Sequence, residues 1–296
     1  MNILHISPYV PSVHASHAGG VCMGKELEAL RKKHNVFVLS FINDEKEEKL
    51  VEKEFINDNK SFFVYSNTYT KGLNALAHLN KPVFFGIRSS RKFKRLLLNI
   101  VRENSIDVIH AEYTAMGQFV WIKKYFPNIK FNLVEHDVTK QSYDRYCKGS
   151  SGIKHVYQKW QSNLVNKNEE DYLKKCDQVF TLNYKDKNLL SKYYGIQNVE
   201  VITPYYGIDF DAVQNIHVEK EENSICFVGL MSRSENHEAA MRLIHIVQDL
   251  PNDLNVKLNI IGAYPNDELK SFESSRIHIT GFVDSIEEEI LKNELA

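Results

Sequence analysis

Residues 2–40 read NILHISPYVPSVHASHAGGVCMGKELEALRKKHNVFVLS. Residues 2–7 form a short apolar run of the kind that is buried as a strand. A loop with Gly19 and Gly20 follows, and then Met23, Leu27 and Leu30 fall on one helical stripe. Residues 36–40 (VFVLS) return to strand. Parallel strands need a crossover between them, so this strand–loop–helix–strand run predicts a parallel α/β sheet.

The pattern repeats outward from that unit. Strands are predicted at residues 62–65, 108–111, 131–134, 179–182 and 199–202, with helical spacing between them. The charged run from Glu45 reads as a solvated helix with surface ion pairs. A turn-rich segment from Thr203 to Asp209 and a polar one over 219–223 mark a boundary. A new unit then opens with residues 225–228, Gly229 and a helix carrying Ala240, Leu243, Ile244 and Val247 on one face, followed by strands at 257–261 and 277–280. The fold class is therefore α/β, with a Rossmann-like domain over residues 1–210 and a second over 220–296. That second domain has only three strands and a last predicted helix at 285–295. Both sheet edges are left open, and the domain reads as incomplete.

The chain has 296 residues, 43% hydrophobic and 25% charged, a composition of globular domains that need no disulfide or metal staple. Lys and Arg total 37 against 38 for Asp and Glu, which argues against a nucleic-acid-coating protein. The four cysteines (Cys22, Cys147, Cys176, Cys226) form no CxxC pair and suggest buried thiols in a reducing compartment. The first charged side chain is Lys25, but Pro8, Pro11 and histidines interrupt the stretch before it, unlike a signal peptide. No apolar run is long enough for a transmembrane helix. The expected location is the cytoplasm.

Open α/β sheets bind ligands beyond the carboxyl ends of their strands, so the residues just after each strand carry the functional information. Gly19 and Gly20 would let backbone N–H groups approach an anion at a helix N-terminus, or simply turn the loop. No GxGxxG and no GxxxxGK[ST] occurs, which weighs against a dinucleotide dehydrogenase and a P-loop NTPase. Glu135, His136 and Asp137 follow the fifth strand and could supply a catalytic imidazole or orient a hydroxyl. The alternative is a histidine held by backbone, with both acids in solvent. His110, Glu112 and Tyr113 stand at another strand end, whereas His5 lies inside a strand and reads as a satisfied core histidine. Gly229, Arg233 and Asn236 link a strand to a helix and suit a diphosphate, with Ser234 or Asn236 as the N-cap. Gly262 and Gly281-Phe282 follow the next two strands.

Three other features carry less. Asp209-Phe-Asp211 reads as a linker turn rather than a metal site. His14 and His17 lack both the HExxH form and cysteine ligands, so zinc is not expected there. Arg88, Arg91, Lys92, Lys94 and Arg95 form a basic cluster opening an apolar helix. They suit either anionic lipid headgroups or a solvated basic face.

Taken in order, the strings ILHISPYVPSVHASHAGG, DVIHAE, VEHD, CDQVFTLNYKDKNLL, VEVITPYYGIDF, ICFVGLMSRSENHEAAM, LNIIG and ITGFVDSIEE make the chain resemble retaining glycosyltransferases of the GT-B fold, the family 4-like or group 1 transferases. The resemblance implies two Rossmann-like domains facing a cleft. The first would hold a glycan or lipid-linked acceptor, near Gly19, Glu112, Tyr113 and Asp137. The second would hold a nucleotide-diphosphate sugar, near Gly229, Arg233, Asn236, Gly262, Phe282 and Val283. Gly20 matches the family's glycine loop near the transferred sugar, and His136 its active-site histidine. Phe282 and Val283 match the stretch whose backbone meets the nucleobase. No metal or cofactor is implied, because basic side chains and helix dipoles stabilise the leaving diphosphate. Membrane contact, if any, would be peripheral, through Arg88, Arg91, Lys92, Lys94 and Arg95.

Two departures stand out. No Lys follows Arg233 at the helix start, and the family's Glu, seven residues, Glu signature would lie beyond Ala296, as in a truncated chain. The expected function is retaining transfer of a hexose-type sugar. The alternatives are a catalytically inactive GT-B binding protein, perhaps the partner of an intact transferase, and a nucleotide-sugar epimerase.

Overall fold

The computed structural model describes residues 1–204 and 213–296, so Asp209 and Asp211 lie outside the described residues. The chain divides into two compact units, residues 1–207 and 208–296. In unit 1 the strands are β1 (Asn2–Ser7), β2 (Asn35–Ile42), β3 (Ser61–Tyr65), β4 (Val108–Glu112), β5 (Lys130–Glu135), β6 (Gln178–Thr181) and β7 (Val199–Val201). They form one parallel sheet in the order β3-β2-β1-β4-β5-β6-β7. The order reverses between β1 and β4, which makes that junction the topological switch point where such sheets open a crevice.

Strand alternation sorts the two faces. Leu4 and Ile6 join Phe37, Leu39, Ile109, Phe131 and Leu133 in the larger core, against Phe93, Leu97 and Ile100 of a covering helix. Ile3 joins Val36 and Val38 on the opposite face, against Leu27. The helices are α1 (Ala18–Arg31), α2 (Glu45–Glu54), α3 (Thr68–Leu76), α4 (Val83–Gly86), α5 (Arg91–Asn104), α6 (Thr139–Lys148), α7 (Gly152–Lys175) and α8 (Tyr184–Tyr194). Gly19 and Gly20, expected in a loop, lie in the first turn of α1, because His17 caps the helix by accepting from Gly20 N at 3.0 Å. The charged helix α2 is capped by Asp44, with Glu45, Glu47 and Glu48 in its first turn, where the helix dipole favours acids.

Unit 2 has β8 (Ser224–Val228), β9 (Lys257–Ile261) and β10 (Ile277–Gly281), parallel in the order β10-β9-β8. Helix α9 (Ser234–Asp249) lays Ala240, Ile244 and Val247 against Leu258, Ile260 and Ile277. Short helices α10 (Asp267–Lys270) and α11 (Ile286–Leu291) follow, and 3-10 helices lie at Thr114–Lys124 in unit 1 and Asn252–Leu254 in unit 2. The last helix stops at Leu291 instead of running to 295. The residues after it turn back to the sheet, where Leu295 bridges Ile225 in parallel and its carbonyl accepts from Cys226 N at 2.8 Å. Asn293, buried, accepts from Asn259 Nδ2 at 2.7 Å and ties the segment down. The free edge of β8 therefore gains backbone partners that a longer helix would have denied it.

The four cysteines form no disulfide. Cys22 and Cys226 are buried, while Cys147 and Cys176 are only half-buried. No described helix is long and apolar enough to cross a membrane.

Candidate functional site

The unit 1 switch point holds a cluster of charge. His5 pairs in register with His110, and both are buried on the face that α1 covers, with Glu112 two residues beyond His110 on the same face. Glu112 has no exposed surface. Its Oε2 lies 2.7 Å from His136 Nε2, and its Oε1 lies 3.3 Å from both His110 Nε2 and His5 Nε2. Glu26 reaches down from α1 to within 2.9 Å of His110 Nε2. Burial alone would raise the Glu112 carboxyl pKa. The hydrogen bond with His136 and the close approach of the His110 and His5 imidazoles outweigh it and hold the group well below its ordinary range. Burial lowers His110, but the Glu26 and Glu112 carboxylates reverse that and push it up to about 10.

Glu112 was expected to meet an acceptor directly. It is buried and orients His136 instead. Nor is His5 a satisfied core histidine, since neither of its ring nitrogens has a hydrogen-bond partner. Tyr113 stacks on His136 with ring centroids 3.8 Å apart and 6° between planes. It holds φ +68°, a conformation that costs a non-glycine residue roughly 1–3 kcal/mol and clusters at functional sites. A Cβ on Gly19 would lie 1.9 Å from the Tyr113 hydroxyl oxygen, so that glycine makes room for the phenol. Cys22, Lys25, Glu26, Val134, His136 and Ile202 are among the residues lining a cavity of about 270 Å³. A larger hollow of about 500 Å³ near Asn35 and Lys60 lies at the amino end of β2, away from the ligand edge.

The Glu135-His136-Asp137 triplet is split at the end of β5, whose last residue is Glu135, with His136 and Asp137 in the loop beyond. Asp137 is exposed. Glu135 is fully buried, bonded to the Thr114 hydroxyl, and does not join His136. Its pKa stands well above the usual carboxylate range, through burial first and then the charge of Glu169. Glu169, from α7, caps α6 from outside. It accepts from Thr139 N at 2.8 Å, Lys140 N at 3.0 Å and the Tyr194 hydroxyl at 2.5 Å. The N-cap residue itself is Val138, which offers no acceptor.

In unit 2, Gly229, Gly262 and the Gly281-Phe282 pair follow the carboxyl ends of β8, β9 and β10. The N-cap of α9 is Arg233 rather than Ser234 or Asn236, and no side chain accepts from the first-turn N–H groups. Asn236 instead donates to the Leu230 carbonyl at 3.1 Å, which removes it as a cap. Arg233 is exposed, and so is the Phe282 ring at 77%. Val283 is half-buried. Gly262 has a structural duty: a Cβ there, at φ +146°, would sit 1.8 Å from the Gly229 carbonyl oxygen.

The basic cluster also divides. Arg88 is 3% exposed, donates to Asn43 Oδ1 at 2.6 Å and lies over the Tyr9 and Phe41 rings, so it belongs to the core. Arg91, Lys92 and Arg95 are exposed on α5, with Lys94 half-buried.

The sequence model of Glycosyltransferase Family 4 matches residues 23–212, nearly two thirds of the chain. The chain belongs to glycosyltransferase family 4. No protein of curated function matches its sequence. Among solved structures it is similar to Anabaena Alr3699/HepE in complex with UDP, with TM-score 0.61 and 13% identity, covering 100% of this chain and 73% of that one. Sucrose-phosphate synthase from Thermosynechococcus elongatus gives TM-score 0.57 and 14% identity, with 98% and 72% covered. Phytolacca americana UGT2, complexed with UDP-2fluoro-glucose and pterostilbene, gives 0.56 and 8%, with 97% and 73% covered. At these identities the likeness is one of fold, and that fold is GT-B.

Within this family 4 chain, unit 1 brings His136, Tyr113, Glu112 and Gly19 together, with Gly20 in the same first turn of α1. Unit 2 gathers Gly229, Arg233, Asn236 and Gly262 at its sheet's ligand edge. Glu26 and His5, which sequence reasoning left out, join the first group. The available signal for Glu26 was its place one helical turn after Cys22, on the face of α1 that meets the sheet.

Proposed function

We propose that this family 4 glycosyltransferase moves a hexose-type sugar from a nucleoside-diphosphate donor to a glycan or lipid-linked acceptor, with retention of configuration. The observation that carries the donor half is the α9 N-terminus. Its first-turn N–H groups lack a side-chain acceptor, and it stands after Gly229 with Arg233 exposed at the cap. Backbone N–H groups, the helix dipole and a guanidinium fork together suit a pyrophosphate. These groups would stabilise the charge that grows as the glycosidic bond breaks. Phe282 offers an aromatic face on which a nucleobase can stack. The similar Anabaena and Phytolacca americana structures are complexes with UDP and with UDP-2fluoro-glucose, which supports a uridine donor.

The acceptor belongs to unit 1. Glu112 engages His136 Nε2, leaving Nδ1 as the ring nitrogen for a ligand, while Tyr113 fixes the ring plane. In a retaining displacement the acceptor hydroxyl attacks from the face the diphosphate leaves. Its proton passes to the departing phosphate oxygen, and no protein nucleophile is used.

Membrane contact is the natural way to reach a lipid-linked acceptor. Tyr69, Leu73 and Leu76 on α3, with Leu79 beyond it, are all at least half exposed. His78, just past α3, lies within the field of Lys94, Lys81 and Arg91, so the apolar strip has a basic border. Apolar side chains rimmed by cations suit an anionic lipid surface.

Titration with UDP, followed by product analysis from UDP-sugars and a glycan or polyprenyl-phosphate acceptor, tests this reading. Arg233→Ala should weaken UDP binding about 10- to 100-fold, as expected for a lost charge-assisted hydrogen bond. His136→Ala should lower turnover while leaving UDP affinity in place. Wild-type UDP affinity in Arg233→Ala, or a product of inverted configuration, would overturn the assignment.

A further inference from the structure

Four donor atoms at the unit 1 switch point approach one another without hydrogen bonding. His110 Nε2 lies 2.9 Å from Glu26 Oε1 and 3.3 Å from Glu112 Oε1, yet His110 Nε2 and Glu112 Oε1 have no hydrogen-bond partner. His5 Nε2 repeats the pattern at 3.3 Å from Glu112 Oε1. Ligand atoms that gather this closely with no hydrogen bond between them are what a bound cation requires.

We propose that Glu26, His110 and Glu112 form a binding site for a divalent first-row transition cation, with Zn²⁺ the best chemical match. Among the described residues this is the one group of three or more such side chains with ligand atoms mutually within 4.8 Å. Donors about 2.0–2.2 Å from a tetrahedral Zn²⁺ are separated by about 3.3 Å, so the 2.9 and 3.3 Å separations from His110 Nε2 need little adjustment. One imidazole among two carboxylates favours Zn²⁺ over Mg²⁺ or Ca²⁺, which demand more oxygen ligands.

The site also meets the accessory demands of a metal centre. Glu26 is about a quarter exposed and lines the 270 Å³ cavity, which supplies an entry path and an open fourth position. His110 and Glu112 are buried, so the remaining shell is dry. The other Glu112 oxygen holds His136 at 2.7 Å, a carboxylate–histidine support of the kind that steers metal ligands. Cation binding displaces the proton from His110 Nε2 into solvent and leaves both carboxylates ionised. The metal site does not depend on the transferase reading. Only its consequence does, namely that an occupied Glu112 would position His136.

The test is calorimetric titration of the full chain with Zn²⁺ after chelator treatment, alongside the visible absorption of the Co²⁺-loaded chain. One saturable site per chain is expected, together with Co²⁺ ligand-field bands. Glu26→Gln and His110→Ala should each cut Zn²⁺ affinity at least tenfold and abolish the Co²⁺ bands, whereas His278→Ala should change neither. His110 is buried, so Glu26→Gln keeps the test decisive if His110→Ala does not fold. Absence of a saturable Zn²⁺ site, or full affinity in Glu26→Gln, would overturn the proposal and leave the sugar-transfer reading untouched.

Discussion

Replacing Gly262 with alanine isolates what holds the donor edge of unit 2 in shape. The native φ of +146° is one that side-chain-bearing residues rarely adopt, at a cost of roughly 1–3 kcal/mol. The added Cβ would also lie 1.8 Å from the Gly229 carbonyl oxygen and 2.9 Å from its carbon. Both atoms are backbone, so relief requires the ends of β8 and β9 to separate, at about 1–3 kcal/mol for overpacking. Together these give roughly 2–6 kcal/mol, against a total of about 5–13 kcal/mol for a domain of this size. The strand ends are joined by Gly229 N to Ile261 O at 3.0 Å and Gly262 N to Gly281 O at 3.2 Å, and those amides should report the loss. In native-state hydrogen exchange, protection across β8, β9 and β10 should fall at least about 30-fold, while β1 and β4 keep theirs. UDP affinity should drop with it, because Gly229 and the α9 N-terminus move together. Wild-type protection in β8–β10 of Gly262→Ala would refute the close-approach argument.

Three further outcomes concern unit 1, whose unfolding can be followed by Trp fluorescence because Trp121 and Trp160 both lie there. The raised pKa of Glu135 means that the native chain retains a proton the unfolded chain releases, so stability declines as pH rises above about 4.5. Glu135→Gln should match the wild type near pH 5 and exceed it at pH 8; a constant difference between the two pH values would contradict this. Burial holds the Lys81 ammonium down to about 8, so the native chain sheds its proton first and stability rises between about pH 8 and 10.5. Lys81→Met should abolish that rise, worth at most about 3 kcal/mol in urea unfolding; an unchanged pH slope would show the group is not desolvated. Reversing two exposed cations with Arg91→Glu and Lys92→Glu should reduce partitioning onto phosphatidylglycerol vesicles roughly 30-fold or more, at about 1 kcal/mol per charge. Equal sedimentation of variant and wild type would remove the α5 surface from the membrane proposal.

Much of the framework was legible because it is local. The period-2 and period-3.6 patterns placed all ten strands of the described residues to within a residue or two, since an apolar face must be buried whatever else the chain does. The ligand-edge positions followed from the parallel class, which is why His136, Gly229 and Arg233 could be picked out. What failed was the destination of individual polar side chains. Arg88 reads as part of a basic surface run but lies beneath Tyr9. Glu135 precedes His136 in sequence and yet does not join it, because as the last residue of β5 it is buried against Thr114 while His136 lies beyond the strand. Ser234 and Asn236 are good caps by type, but with Arg233 at the cap the helix starts one residue too early for Ser234 and three too early for Asn236.

The amino-acid order alone therefore settled the class of sheet, the crossover helices and the two-unit division, which depend on hydrophobic periodicity and short-range turns, while the family followed from the resemblance of its ordered motifs. Tertiary structure decided which charges meet. Glu26, His110 and Glu112 are separated by up to 86 residues, and His5 joins them only because β1 and β4 lie side by side at the switch point. Burial of an ionisable group is costly unless partners arrive from elsewhere, and strand order brings them there.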